Sequence, residues 1–196
     1  MVIILCGESG SGKDTIKDWL VKNEYESIVS YTTREPRSVE KDGIDYCFVS
    51  DKCFDFMKNN GLMAEYEEYS QNRFYGTLTS DYITNPSNDK VVILTPNGVR
   101  QAKKTLDANN IQYKVIYVTC PLGQRMKRYI DRIGDIDFTF SDKDELASRV
   151  ERDFGMFMGM KQIADLTIVN DNDASIAEHT SNIIKFCRES VVEAGD

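Results

Sequence analysis

A glycine-rich segment near the N-terminus has the residue types and the spacing of a phosphate-binding loop. Gly7 is separated by four residues from Gly12, and Lys13 follows at once. Glycines let the backbone fold tightly and point successive N–H groups at phosphate oxygens, while a lysine here supplies a mobile cation for the terminal phosphoryl group of a nucleoside triphosphate. The segment therefore predicts a triphosphate site formed by Gly7, Ser9, Gly10, Ser11, Gly12, Lys13, Asp14 and Thr15.

The residue after Lys13 departs from the usual loop pattern. A serine or threonine is normal there, because its hydroxyl binds the Mg²⁺ that arrives with the nucleotide, but this sequence has Asp14 followed by Thr15. A carboxylate is a good Mg²⁺ ligand that also lies near phosphate anions. We therefore expect Asp14 to bind the metal directly or through water, with Thr15 as the second candidate. The alternative is a glycine-rich turn that binds no ligand.

The elements around the loop must position it. The apolar run Val2–Cys6 predicts a strand before the loop, and the spacing of Ile16, Trp19 and Leu20 predicts a helix after it that ends near Lys22. The N-terminus of that helix adds positive potential at the phosphates. A strand, a glycine loop and a helix in this order are typical of an α/β protein that binds a nucleotide.

The composition is that of one ordinary globular domain. The chain has 196 residues, of which 41% are hydrophobic and 29% charged, and its net charge is -8. An acidic surface argues against a nucleic-acid partner. Basic residues nevertheless cluster at Arg34 and Arg37 and again between Arg125 and Arg132, which suits small anionic ligands such as nucleotides. The sequence leaves the oligomeric state open.

The cysteines and the distribution of apolar residues indicate the cellular compartment of the protein. The five cysteines lack paired metal-ligand spacing and mostly lie in apolar runs, so we expect buried free thiols of a reducing compartment. Nowhere do 18 apolar residues follow one another, and the N-terminal apolar run is too short for a signal peptide. These features predict a cytoplasmic protein without a membrane partner.

A second informative stretch carries two arginines around a proline. A short buried strand is predicted over residues 27–31, and it leads into the turn that holds Arg34, Pro36 and Arg37. Proline restrains the backbone between guanidinium groups, which grip phosphate oxygens in a forked geometry that lysine does not offer. The alternative is a solvated basic turn. Residues 34–77 as a whole predict a small strand-rich insertion on the phosphate-loop core.

The chain resembles a guanylate kinase, a nucleoside-monophosphate kinase of the phosphate-loop class, over nearly its whole length. The segments Thr-Thr-Arg-x-Pro-Arg and Gly-x-Asp-Tyr-x-Phe-Val-Ser, in that order, are specific to this family. The resemblance rests on Glu65 and on the segments 7–15, 30–37, 43–50, 75–77 and 168–171. It implies an α/β phosphate-loop kinase fold with a central parallel sheet, a strand-rich monophosphate-binding insertion and a mobile lid. The implied boundaries within one kinase domain of residues 1–196 are a core of residues 1–33, 88–131 and 150–196, an insertion of residues 34–87 and a lid of residues 132–149.

The resemblance also implies roles for residues of the insertion. The phosphate of the monophosphate would be held by Arg34, Arg37, Tyr46 and Tyr75, and the base would meet Ser30, Glu65 and Thr77. A carboxylate at position 65 fits guanine, whose N1 and N2 atoms carry N–H donors that adenine does not present. The alternatives are an exposed strand carboxylate at Glu65 and a purely structural role in the core for the two tyrosines.

The resemblance is weakest in the strand that begins at Lys90. Guanylate kinases end this strand in an Asp-x-Asp pair, the first helping Mg²⁺ through water and the second contacting the base, but Ile93 and Thr95 occupy these positions. We hypothesise that Asp14 supplies the carboxylate missing at position 93. Thr95 stays in the predicted monophosphate site, and its hydroxyl in place of a carboxylate leaves the base selectivity open.

Two arginines and an asparagine complete the donor site that the resemblance implies. Arg132 and Arg149 match the lid arginines that close over the transferring phosphoryl group, and with Lys13 they are the predicted catalytic residues. Asn170 would lie at the adenine of the donor. For Arg125 we expect a solvated helix face instead.

The resemblance implies an enzyme that uses ATP with Mg²⁺ to phosphorylate a nucleoside monophosphate, GMP or dGMP first of all. No side chain has to act as a covalent nucleophile, because an oxygen of the acceptor phosphate attacks the transferring group. Two alternatives remain. Thr95 leaves room for another (deoxy)nucleoside monophosphate as acceptor, and a guanylate-kinase-like binding module would bind the monophosphate without turnover.

Overall fold

The computed structural model describes residues 1–70, 72–85, 87–133, 140–171 and 176–192, without the side chains of residues 70, 132–133, 140–146, 149 and 190–192. The chain forms two compact units. The first unit comprises Met1–Ile4 and Glu24–Tyr113, and the second comprises Leu5–Asn23 and Lys114–Asp196.

The strands and helices follow one another along the chain in a mixed order. The strands are β1 (Val2–Cys6), β2 (Glu26–Ser27), β3 (Tyr31–Thr32), β4 (Cys47–Phe48), β5 (Met63–Ser70), β6 (Arg73–Leu78), β7 (Lys90–Ile93), β8 (Tyr113–Thr119) and β9 (Leu166–Val169). The helices are α1 (Lys13–Lys22), α2 (Asp51–Asn59), α3 (Thr79–Ile83), α4 (Pro96–Ala108), α5 (Leu122–Ile133), α6 (Phe140–Met156), α7 (Met160–Ile163) and α8 (Ile176–Val192).

A five-stranded sheet has the strand order β2-β7-β1-β8-β9. In it β2 pairs in parallel with β7, and β8 pairs in parallel with β9. Strand β1 is an unbroken apolar run, and Ile3, Ile4 and Leu5 are fully buried, as expected for a parallel strand that is covered on both faces. The predicted α/β fold with a central parallel sheet is confirmed.

A second, four-stranded sheet lies in the first unit, in the order β4-β3-β6-β5. Strand β3 runs parallel to β4 and antiparallel to β6, and β6 runs antiparallel to β5. Glu65 on β5 is paired with Thr77 on β6, and Glu67 is paired with Tyr75. Alternate residues of a strand lie on one face, so Glu65 and Glu67 share a face of this sheet. The insertion and lid boundaries stay predictions.

Helix α1 starts directly after the glycine loop and packs against α8 in the second unit. The buried residues of α1 are Ile16 and Leu20, and those of α8 include Ile183 and Cys187. Their spacing of four residues places each pair on one side of its helix. Trp19, which belongs to the predicted apolar pattern, is 39% exposed.

Two predictions about local structure are wrong. Residues 27–31 do not form one strand, because β2 ends at Ser27 on β7 while β3 begins at Tyr31 on β6, so the chain passes from one sheet to the other between them. The cysteines are all free, as predicted, but Cys53 is exposed and Cys47 is half-buried.

Among the helices that the structure describes, none is both long and apolar enough to cross a membrane.

Candidate active site

The loop between β1 and α1 follows a path that requires glycine. Gly10 and Gly12 have φ angles of 77° and 95°, a left-handed conformation that other residues rarely adopt. A Cβ atom on Gly7 would lie 2.0 Å from the carbonyl oxygen of Val118, and one on Gly12 would lie 2.2 Å from Nδ2 of Asn170. Conformation and space therefore both exclude larger residues here.

Lys13 begins α1 and turns its side chain back over the loop. Its Nζ atom donates a hydrogen bond to the carbonyl oxygen of Glu8 over 2.9 Å. Burial lowers the pKa of Lys13, against the opposing effect of nearby carboxylates such as Asp14. A phosphate anion beside Nζ would also stabilise the charged ammonium. The predicted role of Lys13 at a triphosphate is compatible with this position and stays a prediction.

Asn170, the residue after β9, is hydrogen-bonded to the backbone of the glycine loop. Its Nδ2 atom donates to the carbonyl oxygen of Ser11 over 2.8 Å, and its backbone N–H donates to the carbonyl oxygen of Thr119 over 2.8 Å. Asn170 is 1% exposed and Ser11 is fully buried. The structure thus gives Asn170 a contact with the loop backbone, while its predicted place at the adenine stays a prediction.

Arg125 does not lie on a solvated helix face, so that prediction is wrong. Its side chain is 11% exposed, and its Nη2 atom lies 2.5 Å from Oδ2 of Asp153. Its Nε atom donates to the carbonyl oxygen of Ser9 over 2.8 Å. One turn further along α5, Arg128 donates to the carbonyl oxygen of Gly10 over 3.1 Å. The helix pattern could not reveal these contacts, because the partners come from α6 and from the loop.

The residues after Lys13 offer oxygen ligands to a metal. Asp14 and Thr15 are both exposed in the first turn of α1. In the described part of the chain, no group of three or more His, Cys, Asp or Glu residues could hold a metal by itself. Mg²⁺ that arrives on a triphosphate needs only one or two protein oxygens. The carboxylate of Asp14 and the hydroxyl of Thr15 are ligands of that type, so the residues present fit Mg²⁺.

The predicted lid arginines lie on the helices of the second unit. Arg132 is in α5 and Arg149 is in α6, and both side chains lie outside the described residues, as does the segment 134–139 between the two helices. Their catalytic role therefore stays a prediction.

The first unit brings the predicted phosphate ligands together. Arg34 donates from Nε to the hydroxyl of Tyr75 over 3.0 Å, and its Cζ atom lies 5.4 Å from the ring centre of Tyr46. The rings of Tyr46 and Tyr75 are 5.7 Å apart in an edge-to-face arrangement. Arg34 is thus a nearly buried guanidinium held between aromatic rings, a setting in which it keeps its charge and a fixed direction.

Glu40 joins Arg34 to Arg37. Its Oε1 atom accepts from Nη2 of Arg34 and its Oε2 atom accepts from the backbone N–H of Arg37, both over 2.8 Å. The hydrogen bond from Arg34 lowers the pKa of Glu40, so the carboxylate stays ionised at neutral pH. The two arginines thus share one anionic partner within the turn, while their role as phosphate ligands stays a prediction.

The predicted base ligands Glu65 and Thr77 also lie together. Glu65 is 6% exposed and Thr77 is fully buried, and the hydroxyl of Thr77 donates to Oε1 of Glu65 over 3.0 Å. The same hydroxyl lies 2.9 Å from that of Tyr82. Burial raises the pKa of Glu65 to about 7, and the charge of Glu67 adds to this rise. The alternative of an exposed carboxylate at position 65 is wrong.

Thr95 is the N-cap of α4. Its hydroxyl accepts a hydrogen bond from the N–H of Gly98 over 3.0 Å and donates one to the carboxylate of Glu67. Ser30 lies before β3, where its carbonyl oxygen accepts from Cys47 over 2.9 Å. Among the described hydrogen bonds none joins Ser30 to Glu65, so its part in a base site rests on the sequence alone.

The model of the guanylate kinase family matches residues 1–185 of this chain. The chain belongs to the guanylate kinase family. The guanylate kinase of Lactobacillus johnsonii is 33% identical over 191 residues, which cover 94% of this chain and 88% of that protein. The guanylate kinase of Malacoplasma penetrans is 31% identical over 187 residues, covering 93% of this chain and 91% of that protein.

A solved structure shows the same fold. The crystal structure of guanylate kinase from Anaplasma phagocytophilum matches with a TM-score of 0.66 and 20% identity, covering 97% of this chain and 85% of that one. At that identity the likeness concerns the arrangement of the backbone. It agrees with the phosphate-loop kinase fold that the sequence predicts.

Sequence reasoning missed three carboxylates that contact the candidate site residues. Glu40 could have been found from its spacing of three residues from Arg37, which is within reach of an ion pair. Glu67 could have been found from its alternation with Glu65 on a predicted strand. Asp153 gave no such signal, because its partners Ser9 and Arg125 are distant along the chain.

Proposed function

We propose that this chain transfers the terminal phosphoryl group of ATP to GMP or dGMP, giving ADP and GDP or dGDP. The observation that carries the proposal is the glycine loop of the second unit, with Lys13 folded over it. The full-length likeness to guanylate kinases of two bacteria supports it further. The loop favours catalysis over a binding module, because a module that only holds a monophosphate has no use for a lysine over a triphosphate loop.

In this reaction an oxygen of the acceptor phosphate attacks the γ-phosphorus of ATP. A new phosphorus–oxygen bond forms as the bond to the β,γ-bridging oxygen breaks, and ADP leaves. Charge spreads over the three equatorial oxygens of the transferring group. Lys13, Arg132 and Arg149 would stabilise that charge, and positioning by the two phosphate sites would supply most of the remaining rate enhancement.

The acceptor phosphate would bind at the arginine turn of the first unit. Arg34 and Arg37 would grip its oxygens, and the hydroxyls of Tyr46 and Tyr75 would donate to it. A phosphate dianion there competes with Glu40 for the same guanidinium donors, so binding is expected to displace or reorient that carboxylate. Ser30, Glu65, Thr77 and Thr95 are the proposed base ligands.

Mg²⁺ would accompany ATP, and its chemistry when bound is to neutralise charge on the phosphate oxygens. Asp14 and Thr15 would hold it, directly or through water.

The five cysteines are free thiols. From this we infer that the protein is in a reducing compartment, the cytoplasm.

The test is ADP release from ATP and Mg²⁺, with each common ribo- and deoxyribonucleoside monophosphate offered separately. We expect turnover with GMP and dGMP, and a loss of at least about a hundredfold in kcat for Lys13→Ala. Lys22→Ala is the matched control, because this exposed lysine lies at the other end of α1. Preference for another monophosphate would show that the acceptor is not GMP or dGMP. Binding of GMP without turnover would support a binding module instead.

A further inference from the structure

A second carboxylate, that of Glu67, is held beside the start of α4. The hydroxyl of Thr95 donates to Oε2 of Glu67, and the same hydroxyl accepts from the N–H of Gly98 over 3.0 Å. Because Thr95 caps the helix, its side chain is fixed by the backbone of the first helical turn. The direction of the Glu67 carboxylate is therefore fixed as well.

Glu65 approaches the same helical turn. The position that a Cβ atom on Gly98 would take lies 2.9 Å from Oε2 of Glu65 and 3.3 Å from Oγ1 of Thr95. Glu65 and Glu67 also share one face of β5, since they are two residues apart in a stretch with regular pairing to β6. The first turn of α4 thus has one carboxylate against Gly98 and another against Thr95.

Two carboxylates on one face of a strand repel each other. The charge of Glu67 adds to the rise in the pKa of Glu65, which means that ionising both in the free protein is unfavourable. A ligand whose hydrogen-bonding edge is rich in N–H donors would reduce that repulsion, because it can donate to both carboxylates. Guanine has such an edge, with one donor at N1 and two on the exocyclic 2-amino group, whereas adenine presents an acceptor at N1.

We propose that Glu67, positioned by Thr95, recognises the exocyclic 2-amino group of the guanine base, while Glu65 accepts from N1–H. The inference rests on the proposed function, because it names the base that the acceptor site selects. It also changes the expectation for Thr95. The carboxylate that the sequence lacks at position 95 comes from β5, and the hydroxyl of Thr95 holds it in place, so preference for guanine is kept.

The test compares GMP with IMP, which has the N1–H donor but lacks the 2-amino group. Binding of each monophosphate is measured by calorimetry without ATP, and kcat/KM is measured separately for each. In the unaltered protein GMP is expected to bind more tightly than IMP. Glu67→Gln should weaken GMP about tenfold or more and leave IMP nearly unchanged, because a charge-assisted hydrogen bond to the amino group is lost.

Two further variants separate recognition from general structure. Glu68→Gln removes the same charge from the neighbouring, exposed position of β5 and should leave the ratio of GMP to IMP affinity unchanged. Thr95→Val removes the hydroxyl that holds Glu67 and should lower the ratio in part, whereas Thr95→Ser should keep it. Thermal unfolding of each variant shows whether the fold is intact.

The possible results distinguish this inference from the proposed function. An unchanged ratio in Glu67→Gln overturns the inference, even if the protein phosphorylates GMP. Equal binding of GMP and IMP by the unaltered protein overturns it too. If GMP binds with a preference that depends on Glu67 and no monophosphate is phosphorylated, the inference stands and the proposed function fails.

Discussion

The backbone N–H of Ser9 donates a hydrogen bond to Oδ2 of Asp153 over 2.9 Å, although 144 residues separate the two. The same carboxylate pairs with Arg125, whose Nε atom donates to the carbonyl oxygen of Ser9. Asp153 is 3% exposed, and burial raises its pKa against the opposing effects of Ser9 and Arg125. Both backbone groups of one loop residue are thus held by a nearly buried ion pair.

Removing one member of this pair should destabilise the folded protein more than removing both. Asp153→Ala leaves the charge of Arg125 without its partner, and we expect the free energy of unfolding to fall by about 3 kcal/mol. The double variant with Arg125→Met should lose less stability than Asp153→Ala alone, because no buried charge is then left without its partner. Both should raise the KM for ATP, because the loop loses its support. Urea unfolding and initial rates are the measurements.

The exposed pair Lys185 and Glu189 on α8 provides the control. Glu189→Ala should cost less than about 1 kcal/mol and leave the KM for ATP unchanged, since solvent screens such a pair. Equal losses in Asp153→Ala and Glu189→Ala would contradict the role assigned to the buried pair.

Arg34→Lys tests the arginine turn. Lysine keeps the charge but loses the planar fork that reaches Tyr75 and Glu40 at once. The KM for GMP should rise about tenfold or more, while the KM for ATP stays within about twofold, because the proposed ATP site is the loop of the second unit. Arg73→Lys, at an exposed residue of β6, should change neither constant. A parallel rise in both constants for Arg34→Lys would show general damage to the fold.

The raised pKa of Glu65 makes a prediction about stability and pH. The folded protein holds a proton on Glu65 up to about pH 7, whereas the unfolded chain releases it near the ordinary value of 4.5. Stability from this group is therefore greatest below the unfolded pKa and is lost as the pH rises through the folded one. Glu67 on β5 and Tyr82 on α3 are the titratable groups that interact with it.

Glu65→Gln should remove this dependence. The variant should nearly match the unaltered protein at pH 4.5 and be more stable by about 3 kcal/mol at pH 8, because glutamine carries no charge and can still accept from Thr77. Denaturant unfolding at several pH values measures the difference. Glu68→Gln, at an exposed position of the same strand, is the matched control. Parallel profiles for the protein and Glu65→Gln would show that Glu65 ionises at its ordinary pKa.

Asp14→Ser tests the metal site. If the carboxylate compensates for Ile93, where the family resemblance implies an aspartate, the Mg²⁺ concentration for half-maximal rate should rise about tenfold, since a neutral hydroxyl replaces a charged ligand. ATP binding with and without Mg²⁺ gives a second readout that does not depend on turnover. Asp18→Ser, also exposed on α1, is the control. Unchanged Mg²⁺ dependence in Asp14→Ser would end the hypothesis.

Features whose residues are neighbours along the chain could be predicted from the sequence alone. The loop from Gly7 to Lys13 depends on the order of its residues, and so does the turn that places Arg34 near Arg37. Parallel strands could be expected from unbroken apolar runs, because such strands have no solvent-facing side. The family resemblance added candidate base ligands such as Glu65 and Thr77.

Contacts between side chains that are distant along the chain could be learned only from the fold. Glu67 and Thr95 are 28 residues apart, and they meet because β5 lies against α4. Asp153 reaches Ser9 because α6 carries it to the loop. Such pairs depend on strand register and on the packing of helices, which side-chain burial across the whole molecule sets and local spacing does not encode. The sequence therefore predicted the glycine loop and the arginine turn, whereas the contacts of Glu67 and Asp153 depend on the fold.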